Sequence, residues 1–264
     1  YVALSHCWGG DVHCKTESSN FHQHLEAIQF SEFPKTFQDA ITICRLLKVE
    51  NLWIDSLCII QDSAEDWAEQ AARMSHVYAN AFVTISADGA ADSSQGGYDA
   101  FQHHSWASSL SSPLSNRGWV LQEIVLSPRI LRFMAEELTW ECSTTSQCEC
   151  QCLPHTAEFE QFLKACIDDT SFDRCWSSLV DEYTDRQLSY WSDPLPATSG
   201  IVQQLAMSQP ASLVYYAGLW SKSFPECMLW RTLDRDRDGT KSASDRIKPY
   251  HAPTWSWASV TGRI

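Results

Sequence analysis

The sequence predicts an α/β fold: a central, mostly parallel β-sheet flanked by helices, followed by a mainly helical, tryptophan-rich C-terminal extension. The sheet is predicted by three short apolar segments that alternate, within the first 90 residues, with two segments of helical apolar spacing. Strands that alternate with helices form parallel sheets with right-handed crossovers. The extension is predicted by a change of pattern past Cys142, where helical segments follow and tryptophans accumulate towards the end of the chain.

The first three predicted strands are residues 1–5 (YVALS), 52–54 (LWI) and 81–86 (AFVTIS), which are too apolar for loops. Residues 34–47 begin with a proline and repeat apolar residues at helical spacing, and residues 63–79 begin with a serine and an aspartate three residues apart, as in a capping box.

Both helices are expected to pack on the sheet through one face. In the first helix, this face holds Phe37, Cys44 and Leu47. In the second helix, Trp67 and Met74 are expected to face the core.

A long loop, a short helix and two further strands complete the predicted core. Residues 88–116 are rich in Gly, Ser and His and predict a long loop, residues 118–126 predict a short helix, and residues 130–133 and 138–140 predict two further strands. Residues 143–156 predict a cysteine-rich polar loop.

A change of character near residue 145 predicts two parts, a core domain over residues 1–145 and an extension over residues 146–264. Residues 158–192 and 200–207 of the extension predict helices. The extension is expected to pack on the core, because its tryptophans, Trp220, Trp230, Trp255 and Trp257 among them, cannot all stay exposed.

Composition excludes several classes of partner. The formal net charge is −14 and no run is rich in Lys and Arg, whereas surfaces that bind nucleic acid or anionic membranes are basic. No apolar run approaches the roughly 20 residues of a membrane-spanning helix. The 11 cysteines, several among apolar residues, are typical of reduced thiols. The sequence predicts a cytoplasmic protein with no nucleic-acid or membrane partner.

The ends of the first two strands carry candidate ligand-binding residues, because ligands of parallel α/β sheets bind beyond the carboxyl ends of the strands. Ser5, His6 and Trp8 follow the first strand, Asp55 follows the second, and Gly9 lets a ligand approach the backbone. In one interpretation Trp8 stacks on a planar ring and Asp55 accepts a hydrogen bond from a ligand hydroxyl or amine. In the other, Trp8 belongs to the core and Asp55 caps a turn.

A third polar cluster lies in residues 117–123 (RGWVLQE), which supply Arg117, Trp119 and Gln122 as candidate ligand-binding residues. Trp119 and Glu123 share one face of a helix. An indole beside Glu123 would desolvate the carboxylate and raise its pKa, which suits acid–base work or the stabilisation of a cation. The alternative is a structural ion pair between Arg117 and Glu123.

Cysteines offer two further hypotheses. Cys58 follows the second strand, so in one hypothesis it is a nucleophile close to His6. In the other it is a buried, inert thiol, which is the commoner state. Cys58 is also a candidate ligand-binding residue. Cys142, Cys148, Cys150 and Cys152, with His155 nearby, are the densest group of thiols; their spacing departs from the CxxC pairs of zinc sites. We expect this loop to be metal-free or loosely metallated, and no motif predicts a bound cofactor.

Three of these segments together resemble the signature of the fungal heterokaryon incompatibility (HET) domain family. They are residues 1–9 (YVALSHCWG), 52–61 (LWIDSLCIIQ) and 117–123 (RGWVLQE), in the family's order. Two positions depart from the pattern: His6 replaces a tyrosine and Ile60 replaces an asparagine.

The resemblance implies a role in self/non-self recognition and programmed cell death, and a fold similar to TIR domains, with a flavodoxin-like core. Because some TIR domains hydrolyse NAD with a catalytic glutamate, it further implies NAD glycohydrolysis, with NAD as substrate rather than cofactor. Glu123 then stabilises the ribosyl cation, Asp55 holds ribose hydroxyls and Trp8 stacks on a base. These three residues are therefore expected around one cavity.

Two other functions stay open at this point. One is a non-enzymatic signalling module that acts by self-association or through a partner protein. The other is a HET-like enzyme of secondary metabolism that acts on an unrelated small molecule.

Overall fold

The structure is a computed structural model of the 264-residue chain. It describes residues 1–9, 14–96, 112–135, 137–150, 172–210, 212–233, 245–246 and 250–264. The chain forms two compact units: Tyr1–Ser115 with Leu126–Glu158, and Asn116–Val125 with Phe159–Ile264. The domain boundary predicted near residue 145 stays a prediction, since a compact unit is not by itself an independently folding domain.

The first unit contains a six-stranded sheet in the order β2-β1-β3-β4-β5-β6. Its strands are β1 (Val2–Ser5), β2 (Leu52–Ile54), β3 (Val83–Ser86), β4 (Arg129–Phe133), β5 (Leu138–Cys142) and β6 (Ser146–Cys148). Strands β1 to β4 are parallel to one another, and β5 and β6 extend the sheet beyond β4 in antiparallel fashion. The predicted α/β fold with a mostly parallel sheet is confirmed.

The strand order fixes where a ligand can bind. In a doubly wound sheet of order 2-1-3-4, the chain leaves the central strand towards opposite edges, so a crevice opens at the carboxyl ends of β1 and β3.

The helices of this unit are α1 (Phe21–Glu26), α2 (Lys35–Leu47), α3 (Asp55–Cys58) and α4 (Ala64–Ala79). Strand β6 corrects the sequence analysis, which expected only a loop there, because its pairing with β5 depends on a partner rather than on its own polar sequence.

Helix α2 covers one face of the sheet. Phe37 and Cys44 are buried in a cluster with Leu4 and Ile85, as the apolar spacing predicts. Leu47, however, is 42% exposed, because α2 ends there and the following residue, at φ 58°, turns the chain towards β2.

Helix α4 begins as its capping motif predicts, with the Ser63 hydroxyl accepting a hydrogen bond from the Asp66 amide at 3.2 Å. Its buried residues are Met74, Ser75 and Tyr78 in the C-terminal half. The expectation that Trp67 faces the core is wrong, since it lies in the exposed first turn at 36% exposure.

The second unit contains α5 (Gly118–Leu126), α6 (Phe172–Thr184), α7 (Ser199–Ser208) and a small hairpin of β7 (Tyr215–Tyr216) and β8 (Leu219–Trp220). This confirms the mainly helical extension in its described part; residues 158–171 lie outside that part. None of the described helices combines the length and the apolar character that crossing a bilayer demands.

Tryptophans organise the hairpin of the second unit. The indole N–H groups of Trp176 and Trp257 both donate to the Gly218 carbonyl at 2.9 Å. Trp220, only 1% exposed, packs edge-on against Trp176 at 5.8 Å between ring centroids. These three tryptophans therefore form a packed aromatic core in this unit.

Gly9, in the turn after β1, is a glycine that the fold requires. Its φ is +81°, and a Cβ added there would lie 2.6 Å from the Cβ of Asp92. We expect Gly9→Ala to lower the free energy of unfolding by about 2 kcal/mol or more, since a left-handed non-glycine residue alone costs about 1–2 kcal/mol. Chemical denaturation of the single variant measures this loss.

The double variant Gly9→Ala/Asp92→Gly separates the two causes, because it removes the clash and keeps the strained φ. The alanine should therefore cost less in the Asp92→Gly background than in the wild type. An equal cost in both backgrounds would contradict the close approach of the two loops.

Candidate binding site at the carboxyl edge of the sheet

The first two signature segments meet at the carboxyl edge of the sheet. Strands β1 and β2 pair in parallel with Leu4 opposite Ile54, so the residues that follow them are neighbours. The Trp8 indole donates to Asp55 Oδ2 at 2.7 Å, and the Ser56 amide donates to Asp55 Oδ1 at 2.7 Å. Both carboxylate oxygens of Asp55 thus accept hydrogen bonds from the protein, one of them at the start of α3.

His6 lies beside this pair. Its Nδ1 is 3.8 Å from Asp55 Oδ1, and its ring packs edge-on against Phe37 at 5.0 Å between centroids. The residue is 3% exposed. The sequence correctly places His6 next to Asp55, and the apolar ring of Phe37 fixes the imidazole from the side of α2.

A row of buried hydroxyl groups crosses the sheet at the same edge. Ser5 is opposite Ser86, Ser86 is opposite Arg132, and Arg132 is opposite Thr139. Directly opposite residues project to the same face of a sheet. The hydroxyl oxygens of Ser5, Ser86 and Thr139 have no hydrogen-bond partner within the part of the chain that the structure describes. We call these three residues the hydroxyl row.

Charged groups continue the hydroxyl row beyond β3. Asp88, two residues past the strand, accepts a hydrogen bond from the Ser112 hydroxyl at 3.0 Å and lies 3.3 Å from Arg132 Nη1. Arg132 Nε donates to Glu141 at 2.8 Å. The Asp88 side chain is 2% exposed and that of Arg132 is 12% exposed. Two carboxylates against one guanidinium give the group a formal charge of −1.

The opposite face of the sheet carries a small apolar groove beneath α2. It is lined by Thr36, Asp39, Ala40, Ile43, Ile85, Ala87 and Phe133. Small-molecule sites usually combine apolar walls with several converging polar groups. The hydroxyl row, with Asp88 and Arg132, is therefore the better candidate for polar recognition.

The third signature segment lies in the second unit, on α5. The Trp119 indole donates to Asp193 Oδ2 at 2.9 Å, and Gln122 Oε1 accepts from the Gly200 amide at 2.7 Å. Gln122 is fully buried. These bonds tie α5 to the segment before α7 and to the first turn of α7, which is a structural task for both residues.

Arg117 precedes α5 and forms a β-bridge with Gln187, and Glu123 is 3% exposed. Trp8 and Asp55 belong to the first unit, whereas Glu123 belongs to the second. The expectation that Trp8, Asp55 and Glu123 surround one cavity stays a prediction, as does an ion pair between Arg117 and Glu123.

Cys58 ends the short helix that follows Asp55. Cys58 is exposed at the surface, yet the pKa of its thiol is raised above the ordinary value, first by partial desolvation of the sulfur and further by the nearby charge of Asp55, against a backbone hydrogen bond that lowers it. The reactive thiolate form is thus disfavoured, which supports an inert Cys58 rather than a nucleophile.

Only part of the cysteine-rich cluster is described. Cys142 ends β5, Cys148 ends β6, and Cys150 follows in a turn. Cys152 and His155 lie outside the described residues.

Sequence reasoning found Ser5, His6 and Asp55 at this edge but missed Ser86, Asp88 and Arg132. Applying the same rule to the third strand as to the first two would have found Ser86 and Asp88. Arg132 gave no such signal, because its place beside Ser86 depends on the register between β3 and β4.

One comparison with known proteins gives a match. Residues 1–110 match the family model described as "Heterokaryon incompatibility protein (HET)", which confirms the resemblance of the first two segments. No curated protein and no solved structure matches the chain.

Proposed function

The N-terminal 110 residues of this chain belong to the heterokaryon incompatibility (HET) family, and on that premise we propose that the chain is a cytoplasmic module of fungal self/non-self recognition that binds a hydroxyl-rich small molecule. The binding site is the hydroxyl row together with Asp88 and Arg132. The observation that carries the proposal is the set of buried hydroxyls at the carboxyl edge of β1 and β3 that have no hydrogen-bond partner among the described residues.

Energetics support a ligand at this place. A buried polar group without a hydrogen bond costs about 1–3 kcal/mol, so three such hydroxyls in one row are a substantial penalty unless another molecule satisfies them. The row also lies beside the strand pair at which doubly wound sheets bind their ligands. A polar ligand, with any water that accompanies it, would remove this penalty on binding.

The charged groups define the chemistry of that ligand. Carboxylates such as Asp88 accept hydrogen bonds from sugar hydroxyls, the Arg132 guanidinium donates to sugar or carbonyl oxygens, and serine hydroxyls do both. Acidic residues hold ribose hydroxyls in this way in nucleotide-binding α/β proteins. A ribose-containing molecule therefore fits the site, and NAD is the first candidate.

Hydrolysis of NAD is the activity that we propose for the complete domain, with loss of cellular NAD as its link to programmed cell death. The support is the likeness of residues 117–123 to the third HET signature segment and the analogy with TIR domains. Glu123 opposes the positive charge that develops on the ribosyl group. NAD is consumed as substrate, and the site needs no cofactor.

The experiment measures NAD binding to the purified chain by calorimetry and nicotinamide release by chromatography. Ser86→Ala should weaken NAD binding at least tenfold, which corresponds to about 1.4 kcal/mol, because one hydrogen bond to the ligand is lost. The same substitution should leave the melting temperature unchanged or raised, because in the free protein that hydroxyl lacks a partner among the described residues.

Ser94→Ala is the matched control, because Ser94 is exposed and lies in the same unit outside the hydroxyl row. It should bind NAD as the wild type does. Equal NAD affinity in wild type and Ser86→Ala would reject the site, and a failure of the wild type to bind NAD would reject the ligand.

A second candidate function, the non-enzymatic signalling module, is favoured by one observation. Both oxygens of Asp55 are already bonded, to Trp8 and to the Ser56 amide, so this part of the signature holds the fold. Self-association measured by light scattering, with no nicotinamide released, would support that function. A different metabolite retained by the wild-type protein and released by Ser86→Ala would instead support an enzyme acting on another small molecule.

A further inference from the structure

The open end of the β5–β6 hairpin gathers three metal-ligating side chains. Glu137 stands just before β5, Cys148 ends β6, and Cys150 follows two residues later. One ligand atom from each residue lies within 4.8 Å of the others. Cys148 is buried, Glu137 is half-buried and Cys150 is exposed, so the cluster opens to solvent on one side.

Backbone pairing explains why the three side chains meet. Thr139 of β5 is opposite Cys148, and beyond the strand the Glu149 amide still donates to the Leu138 carbonyl at 2.9 Å. This bond holds Glu149 against β5, and the turn that contains Glu149 and Cys150 brings the Cys150 sulfur to 2.9 Å from the Cys148 sulfur. Both sulfurs therefore lie near the start of β5.

The contacts within the cluster are close. The Cys148 and Cys150 sulfurs are 2.9 Å apart, and the Cys150 thiol donates to Glu137 Oε2 at 3.0 Å. In a tetrahedral zinc site with Zn–S bonds of about 2.3 Å, two sulfurs lie about 3.8 Å apart. The two sulfurs must therefore move apart by about 0.9 Å to hold the ion.

We propose that Glu137, Cys148 and Cys150 bind one Zn²⁺ ion through two thiolates and a carboxylate, with water completing the coordination. Thiolate ligands select soft or borderline cations such as Zn²⁺ over Mg²⁺ and Ca²⁺. The site is open and exchangeable, because three protein ligands leave one position to solvent. The ion joins the end of β6 to the start of β5.

Binding of the ion deprotonates the two thiols. Each thiol loses one proton to solvent as its sulfur binds the ion, while the Glu137 carboxylate binds without losing one. Binding therefore releases two protons, and the affinity falls as the pH is lowered, because protons compete for the sulfurs.

The expectation that this loop is metal-free or only loosely metallated stays a prediction, and an open, exchangeable site corresponds to its second alternative. That expectation considered only the thiols and His155. Glu137 comes from the other side of the β5–β6 pair, and its proximity to the thiols is set by strand register, which a cysteine count does not reveal.

The test uses the full chain, reduced and freed of metal by chelation, with Co²⁺ as the spectroscopic probe. One equivalent of Co²⁺ should produce a thiolate-to-cobalt charge-transfer band, release two protons, and be displaced by Zn²⁺. Cys150→Ser, at an exposed position in the turn after β6, should abolish the band. Glu137→Gln should keep the band but weaken Co²⁺ binding at least tenfold.

Cys142→Ser is the matched control, because Cys142 belongs to the same hairpin but not to the cluster. It should retain the band and the affinity. A missing band in the reduced wild type would overturn the proposal, and so would a band that survives in Cys150→Ser or an affinity unchanged in Glu137→Gln.

Discussion

Replacing Asp55 by alanine is expected to lower the free energy of unfolding by about 2–3 kcal/mol, because the Trp8 indole and the Ser56 amide each lose their acceptor. Asp55→Asn should cost about half as much, since its single carbonyl oxygen can serve only one of the two donors. Urea denaturation followed by tryptophan fluorescence measures both variants.

Asp62 offers a matched control for this series. Its carboxylate also accepts hydrogen bonds from a backbone amide and a hydroxyl, both of Ser18, but it is exposed to solvent. Water replaces such bonds when they are lost, so Asp62→Ala should change the melting temperature little.

A double-mutant cycle isolates the bond between the two signature segments. Trp8→Phe removes the indole donor, and it should cost less in the Asp55→Ala background than in the wild type, since the bond is already absent there. If Asp55 served only a ligand, Asp55→Ala would leave stability unchanged and Trp8→Phe would cost the same in both backgrounds.

Strands β1 and β3 were predictable because they are buried along their whole length, and strands buried on both faces are mostly apolar. Strand β2 is half-buried at two of its three positions, and its short apolar run still identified it. The helix α2 was equally clear from its apolar spacing. By contrast, β6 is a polar segment that forms a strand only because β5 is available to pair with it.

The candidate site was predictable only where residues follow strands directly. Asp55 and His6 stand at strand ends, and the parallel pairing of β1 with β2 brings them to 3.8 Å. Arg132 lies within β4, so its encounter with Asp88 depends on strand register and on the loop after β3. The periodicity of apolar residues predicts neither the register of β3 with β4 nor the course of the loop after β3.

Residue roles were harder to predict than residue positions. Asp55 was a candidate catalytic group, and in the structure its two oxygens fix the entry to α3 and the Trp8 ring. A strand-end carboxylate can cap a helix or bind a ligand with the same local sequence. The spatial neighbours decide between these roles, and those neighbours come from distant segments.

The strongest effect on activity is expected from Glu123→Gln. If the domain hydrolyses NAD, the glycosidic bond breaks through a transition state with oxocarbenium character, and a nearby carboxylate opposes the developing positive charge. Glutamine keeps the shape of the side chain and removes the charge. Nicotinamide release should fall at least a hundredfold, and toxicity on expression in fungal cells should be lost.

The melting temperature of the variants distinguishes a catalytic role of Glu123 from a structural one. Glu123 is 3% exposed, so its replacement tests the packing of α5 as well. A catalytic Glu123 predicts a melting temperature within a few degrees of the wild type. A structural ion pair with Arg117 predicts that Glu123→Gln and Arg117→Ala both melt clearly lower, because each leaves a charged partner behind.

Glu182→Gln is the control for this experiment. Glu182 belongs to the same unit and pairs with Arg186 at 3.0 Å, so the substitution makes the same chemical change at an ordinary ion pair. It should leave nicotinamide release unchanged. Nicotinamide release by Glu123→Gln at the wild-type rate, together with a lowered melting temperature, would reject the catalytic role and favour a signalling scaffold, since a charge needed only for packing affects folding and not turnover.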